Sequence, residues 1–187
     1  MISIRKATLC DITGMINLHK EIFDKSHFTS NFPSKLLARY FYKLISRNSF
    51  NYVAFDKNEI LGYIVSGFHT AEAVQEFVSE NKLAIIKVLL LHPKFLIEKV
   101  YISIFTHSRK TKNLRLLLIG VKPNQKIGSQ LLKYFENEIY LAGIHNYGLS
   151  VRKNNMRAID FYKKSGFIVE SSTINSFSFL KDLQNDG

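Results

Sequence analysis

The residues of this chain whose types and spacing suit chemistry lie between positions 114 and 167. Pro123-Asn124-Gln125-Lys126-Ile127-Gly128-Ser129 is a short basic turn with one glycine, set directly before a helical pattern. Main-chain N–H groups of such a turn, backed by the first turn of the helix, can hold an anionic phosphate. An ordinary strand-to-helix turn has the same sequence look. Asn155, Ala158, Ile159 and Tyr162 recur at i, i+3, i+4 and i+7, so they share one helical face. Other chemistries are excluded. Cys10 is the only cysteine, which rules out an internal disulfide, and no Cys/His cluster has metal-ligand spacing, so no metal is expected.

Four elements must position these residues. Leu114–Val121 is an apolar run ended by Lys122-Pro123, the pattern of a strand buried on both faces. A helix follows the turn, with Leu131, Leu132, Phe135 and Ile139 on one face. Tyr147–Val151 reads as a second strand, and the helix carrying Tyr162 ends at Gly166-Phe167, where Gly166 suits a left-handed helix end and Phe167 the core.

The stretch from Leu149 to Phe167 resembles the last motif of the GCN5-related N-acetyltransferases (GNAT), apolar-x-Val-x-x-x-Asn-x-x-Ala-x-x-x-Tyr-x-x-x-Gly-Phe, and meets every fixed position of it. Val121-x-Pro through Gly128-Ser129-x-Leu131-Leu132 resembles the family's acyl-CoA pyrophosphate loop, usually Arg/Gln-x-x-Gly-x-Gly/Ala. Gln125 and Gly128 fill its Gln and first Gly, with Gln130 at the last place. Alternatively, Gly128 is the second glycine of a shortened loop. The resemblance implies an α/β (α+β) GNAT fold: a mixed, mostly antiparallel central sheet of six to seven strands with helices on both faces. It also implies an acetyl-CoA-dependent N-acetyltransferase. The pantetheine arm would lie between two splayed strands, against main-chain groups of Ile119, Gly120 and Val121. N–H groups of Gln125, Lys126, Ile127, Gly128 and Ser129 would hold the pyrophosphate, as the helix dipole favours. Asn155 would hydrogen-bond the arm beside Ala158. Tyr162 would be the general acid, since a tyrosine of reference pKa about 10 keeps its proton at neutral pH and can hand it to a departing thiolate. Capping for Asn155 and plain packing for Tyr162 are the structural alternatives. Neither strand carries a carboxylate to serve as base. His27, His69 and His107 are the histidines near the expected acceptor side, and by position His69 or Glu72 is the first choice, beside deprotonation through water. His19, inside a helix, and His145 are not candidates.

The remainder fits one domain, 1–187, with a helical insertion at about 69–112 between the third and fourth strands. Ile2–Thr8 alternates like an edge strand, Asp11 suits the N-cap of a helix through Phe23, and 24–32 reads as a loop. Pro33 suits the first position of a helix over Ser34–Ser46. Phe50–Phe55 and Ile60–Phe68 form a hairpin, and Ile168–Thr173 and Ser176–Leu180 a final antiparallel pair. The insertion reads as helices over Ala71–Glu80, Lys82–His92 and Phe95–Phe105. The last two are apolar nearly all round and are expected to bury both sides, against the core, a second subunit, an acyl chain or a membrane surface.

Lysine and arginine exceed acids by 11 in 187 residues, which implies an acidic partner. From Lys82 to Arg115 eight basic residues face one acid, Glu98. With Arg109-Lys110-Thr111-Lys112, that excess suits a phosphorylated or nucleotide-linked amine acceptor, such as an amino sugar on a nucleotide carrier. The motif itself looks most like enzymes that modify ribosomal-protein N-termini. A non-catalytic acyl-CoA-binding or basic adaptor module is the reading from another class. No recognition helix or aromatic RNA-binding strand is present, so no nucleic-acid partner is expected. The lone cysteine and the missing signal-peptide and membrane-span patterns make a reducing cytoplasm the expected setting.

Overall fold

The protein is described here by a computed structural model covering residues 2–95, 113–123 and 126–183. Its strands are β1 (Ser3–Lys6), β2 (Tyr52–Asp56), β3 (Glu59–Gly67), β4 (Leu114–Val121), β5 (Asn146–Arg152), β6 (Ile168–Ser172) and β7 (Ser176–Asp182). The helices are α1 (Ile12–Ile22), α2 (Ser34–Arg47), α3 (Thr70–Glu80), α4 (Lys82–Leu91), α5 (Ile127–Leu141) and α6 (Met156–Lys164). The strands form one sheet in the order β1-β2-β3-β4-β5-β7-β6. Each neighbouring pair is antiparallel except β4 with β5. That single parallel pair follows from the α5 crossover between its strands, because parallel neighbours need a long connection.

Two cores lie on opposite faces of the sheet. On one face, Leu131, Leu132, Phe135 and Ile139 of α5 and Ile159 and Tyr162 of α6 pack on Leu114, Leu116, Tyr147, Leu149, Val151 and Phe179. On the other, Met15, Ile16 and Leu18 of α1 and Leu36, Leu37, Tyr40, Phe41 and Leu44 of α2 cover Val53, Tyr63 and Val65. Strand alternation sorts β4 and β5 between the faces. Arg115, Gly148, Ser150 and Arg152 take the α1 face, out of phase with the apolar residues of the α5 face.

Several expectations need correction. Asp11 stands at the N-cap position of α1, but its side chain makes no capping hydrogen bond there. Its carboxylate turns back to accept from the Thr8 N–H at 2.7 Å and Thr8 Oγ1 at 2.9 Å, and it pairs with both guanidinium nitrogens of Arg5 at 2.7 Å. Arg5 and these hydrogen bonds hold the Asp11 carboxyl below its ordinary pKa. Pro33 is the N-cap of α2 rather than its first residue, and Phe28–Asn31 forms a 3-10 turn inside the expected loop. Within the described residues α4 packs through one stripe. Ile85 and Val88 are buried, while Leu83 is 85% exposed and Leu90 71%. The expected helix over 95–105 and the basic run 109–112 lie outside the described residues, apart from Phe95, which is buried. No described helix is long and apolar enough to cross a membrane.

Candidate active site

The centre of the sheet opens into a fork. β4 and β5 pair only through Leu114↔Tyr147, Arg115↔Gly148 and Leu116↔Leu149. β4 then runs on to Val121 against β3, and β5 to Arg152 against β7. A bulge sits where the strands part: Val65 pairs with Leu118 and Ser66 with Leu116, which leaves Leu117 unmatched on β4. An extra residue of this kind bends and twists its strand, here away from β5. Beyond the fork, the facing edges of Ile119, Gly120 and Val121 on one side and Ser150–Arg152 on the other present main-chain groups with no ladder partner across the gap. An amide-bearing chain can enter such a slot as an added strand would.

The turn after β4 leads to the second feature. Asn124 and Gln125 lie outside the described residues. Lys126, the N-cap of α5, is held in the left-handed region at φ 50° and has no side-chain cap. The first intrahelical bond there is a long one, Gln130 N–H to the Lys126 carbonyl at 3.5 Å. Hence the N–H groups of Ile127, Gly128 and Ser129 have no acceptor within the helix and lie at its positive pole. A Cβ built on Gly128 would stand 3.7 Å from Phe161 of α6 and from Val121. The turn, the far end of β4 and α6 therefore meet at one place.

On α6 the Asn155 side chain accepts the Ala158 N–H at 3.1 Å, so its oxygen caps the helix and its amide N–H groups are left over. Tyr162 is 5% exposed, against the rings of Phe161, Phe167 and Phe179. Burial raises the Tyr162 pKa, so the hydroxyl keeps its proton. A thiolate formed in the same dry surroundings would have its proton affinity raised as well. An uncapped helix start carrying Lys126, together with the unpaired strand edges of the fork, fits a diphosphate joined to an amide-bearing arm, the chemistry of coenzyme A.

On the α1 face a polar chain lies beside the fork. His19, fully buried, has Nδ1 2.6 Å from Tyr63 Oη and Nε2 2.8 Å from Thr29 Oγ1, and Thr29 Oγ1 is 2.9 Å from His27 Nδ1. Burial pushes the His19 pKa down to about 4 and lowers that of His27, which also lies within electrostatic reach of Arg152. The Tyr63 ring packs on Gly120, where an added Cβ would come within 2.7 Å of it. The chain thus runs from the β4 side of the fork toward its β5 side. His19 gains its partners from 44 and 10 residues away, which its place inside a helix does not signal.

His69 and Glu72 sit at the start of α3, two and five residues beyond Gly67, which pairs with Arg115 at the closed end of the fork. Both are exposed, and the His69 N–H donates to Asn48 Oδ1 at 3.3 Å. No hydrogen bond among the described residues joins either side chain to β4, β5 or α6. His107 lies outside the described residues.

Residues 12–167 match the acetyltransferase (GNAT) family. The chain belongs to the GNAT family of acetyltransferases. Solved structures agree in fold over nearly the whole chain. The PaiA N-acetyltransferase of Thermoplasma acidophilum, in complex with coenzyme A, aligns at TM-score 0.62 and 19% identity, covering 97% of this chain and 99% of that one. A Drosophila melanogaster polyamine N-acetyltransferase aligns at 0.65 and 11%, covering 98% and 100%. The ribosomal-protein-S18-alanine N-acetyltransferase of Escherichia coli aligns at 0.57 and 14%, covering 100% and 97%. Comparison with curated protein sequences gives no match. As a GNAT member the protein is an acyl-CoA-dependent N-acyltransferase, with acetyl-CoA as its cofactor.

Proposed function

We propose that the enzyme moves the acetyl group of acetyl-CoA to a primary amine by direct attack at the fork between β4 and β5. The observation that carries this is the end of β4–β5 pairing after three residues, beside the uncapped start of α5. Acetyl-CoA supplies an activated thioester. Main-chain groups of Ile119, Gly120 and Val121 align its arm, and the N–H groups of Ile127, Gly128 and Ser129, with Gln125 and Lys126, hold its phosphates. Asn155 directs its amide toward the arm beside Ala158, and Tyr162 Oη gives its proton to the departing sulfur.

For the base we favour His27 over His69 and Glu72. His27 is half-buried, its depressed pKa keeps it neutral, and the chain through Thr29 and His19 fixes its ring. When His27 Nδ1–H donates to Thr29 and Thr29 donates to His19 Nε2, His27 Nε2 is left as a free lone pair for the ammonium proton. The acceptor we propose is a small amine, a nucleotide-linked amino sugar in first place because of the basic excess of 82–115. A peptide N-terminus is the alternative.

An acetyl-transfer assay with amino sugars, their nucleotide conjugates and N-terminal peptides tests the reading. Tyr162→Phe is expected to lower kcat by about 100-fold or more, with the coenzyme A affinity kept. A fully active Tyr162→Phe across pH removes the acid role, and turnover on peptides alone removes the sugar acceptor.

A further inference from the structure

Arg115 is a cation inside an otherwise apolar strand, and among the described residues its side chain bonds a hydroxyl, that of Ser150. It lies one residue before the last β4–β5 pair, on the α1 face of the sheet. Its side chain crosses β5 where a side chain of residue 148 would stand: a Cβ built on Gly148 would overlap Nη1 of the guanidinium. Nη2 donates to Ser150 Oγ at 3.1 Å. Ser150 is the first β5 residue past Leu149, where pairing stops, so the glycine and the serine together deliver the guanidinium to the crotch of the fork.

The balance of charge there is incomplete. Burial lowers the Arg115 pKa and Glu170 on β6 acts against that; among the described residues no ion pair joins the two. A guanidinium has five N–H donors, and one hydroxyl cannot compensate a half-buried one. The strand pairs around it are polar: Ser150 lies opposite Ser178, and Arg152 opposite Ser176. The helices of this side, α1 and α2, pack over the β2–β4 half instead, and Ser150 and Arg152 are exposed.

We propose that this face is the acceptor subsite for an anionic group, with Arg115 as the residue that reads a carboxylate or phosphate carried by the substrate amine. The proposal rests on the acetyltransferase reading above and narrows it: the acceptor is an amino acid, peptide or amino sugar bearing a negative group a few bonds from its amine. The phosphates of the cofactor are provided for on the opposite face, at the start of α5. An amine approaching from the α1 side meets the Arg115 fork, whose planar donors match either oxyanion in two-point fashion.

The test uses acceptor pairs that differ in one charge: amino acids against their amides, and amino-sugar phosphates against the parent sugars. The charged member is expected to have the higher kcat/KM, and Arg115→Gln to shrink that preference about tenfold or more, chiefly through KM. Arg115→Lys should restore part of it, because charge returns without the planar fork. Preference in the carboxylate pair alone or the phosphate pair alone identifies the source of the anion. Equal losses on charged and neutral members overturn the proposal, as does no preference in wild type.

Thermal melts separate this from failure of the acetyltransferase reading. With coenzyme A saturating, inorganic phosphate or acetate should raise the melting temperature of wild type and not that of Arg115→Gln. An Arg115-dependent shift in a protein that acetylates nothing would keep the anion site and discard the reaction. A coenzyme A shift with no Arg115-dependent anion shift would do the reverse.

Discussion

The two halves of the sheet, divided by the fork, are built to different rules. From β2 to β4 the sheet is covered on both faces, by α1 and α2 on one and α5 on the other, and β3 is buried from Leu61 to Gly67. From β5 to β6 only the α5–α6 face is apolar. There β5 alternates buried Tyr147, Leu149 and Val151 with exposed Ser150 and Arg152, and β6 is exposed throughout. A half that buries both faces can specify a rigid frame but has no surface for a solute. A half with one polar face gives up burial and keeps hydroxyls such as that of Ser150 at the surface. The chemistry proposed above falls at the boundary, where frame and surface meet.

The largest expected effect tests the frame. Phe41→Ala, in the fully buried α2 core, should cost about 3–5 kcal/mol in urea unfolding. A loss under 1 kcal/mol would mean that the β1–β4 half is not the stable one. A second test addresses the polar chain within that frame. His19 takes up a proton at about pH 4 when folded and near its ordinary value when unfolded. Its contribution is therefore complete above pH 6.5 and declines as the pH falls from there toward 4, because the unfolded chain binds the proton first. Urea midpoints at pH 7 and pH 5 should show this decline, and His19→Gln should flatten it. An unchanged slope in His19→Gln would assign the acid sensitivity to other groups.

Across the fork the effects should shrink. Asn155→Ala removes the α6 cap and is expected to cost about 1 kcal/mol of stability, while raising the KM for acetyl-CoA. If stability falls and the KM does not move, Asn155 is a cap alone. Smallest of all, Ile168→Ala on the exposed edge strand should change the urea midpoint by no more than about 0.5 kcal/mol. A core-sized loss there would show that the open half is covered after all.

The sequence made the boundary legible and its two sides unequally so. Leu114–Val121 and Tyr147–Val151 are apolar runs whose burial dictates their place in mid-sheet, and Gly166 takes the left-handed conformation, φ 87°, expected of a helix end. Local signals miscarried where a side chain had two possible partners. Asp11 has the look of a cap, yet the nearer claim on its carboxylate comes from Arg5 and Thr8. The α4 sequence, apolar all round, promised complete burial, but among the described residues it rests on one stripe. His19 and Arg115 were illegible for a different reason. Arg115 sits in an apolar run and His19 in a helix of mixed polarity, and what gives each its meaning is a partner from elsewhere in the chain: Tyr63 and Thr29 for His19, Gly148 and Ser150 for Arg115.

The short seam at Leu114–Leu116 has a bearing on how the molecule assembles. β2 with β3, and β6 with β7, are hairpins closed by brief turns, so each side of the sheet has strands that can meet early and locally. Among the described residues β4 and β5 pair through three residues, beside the α5 crossover and the Arg115–Ser150 hydrogen bond, which makes the seam the natural place for partial opening short of global unfolding. A molecule lodged there would act as a stitch, and native-state hydrogen exchange should slow first in the strands it draws together.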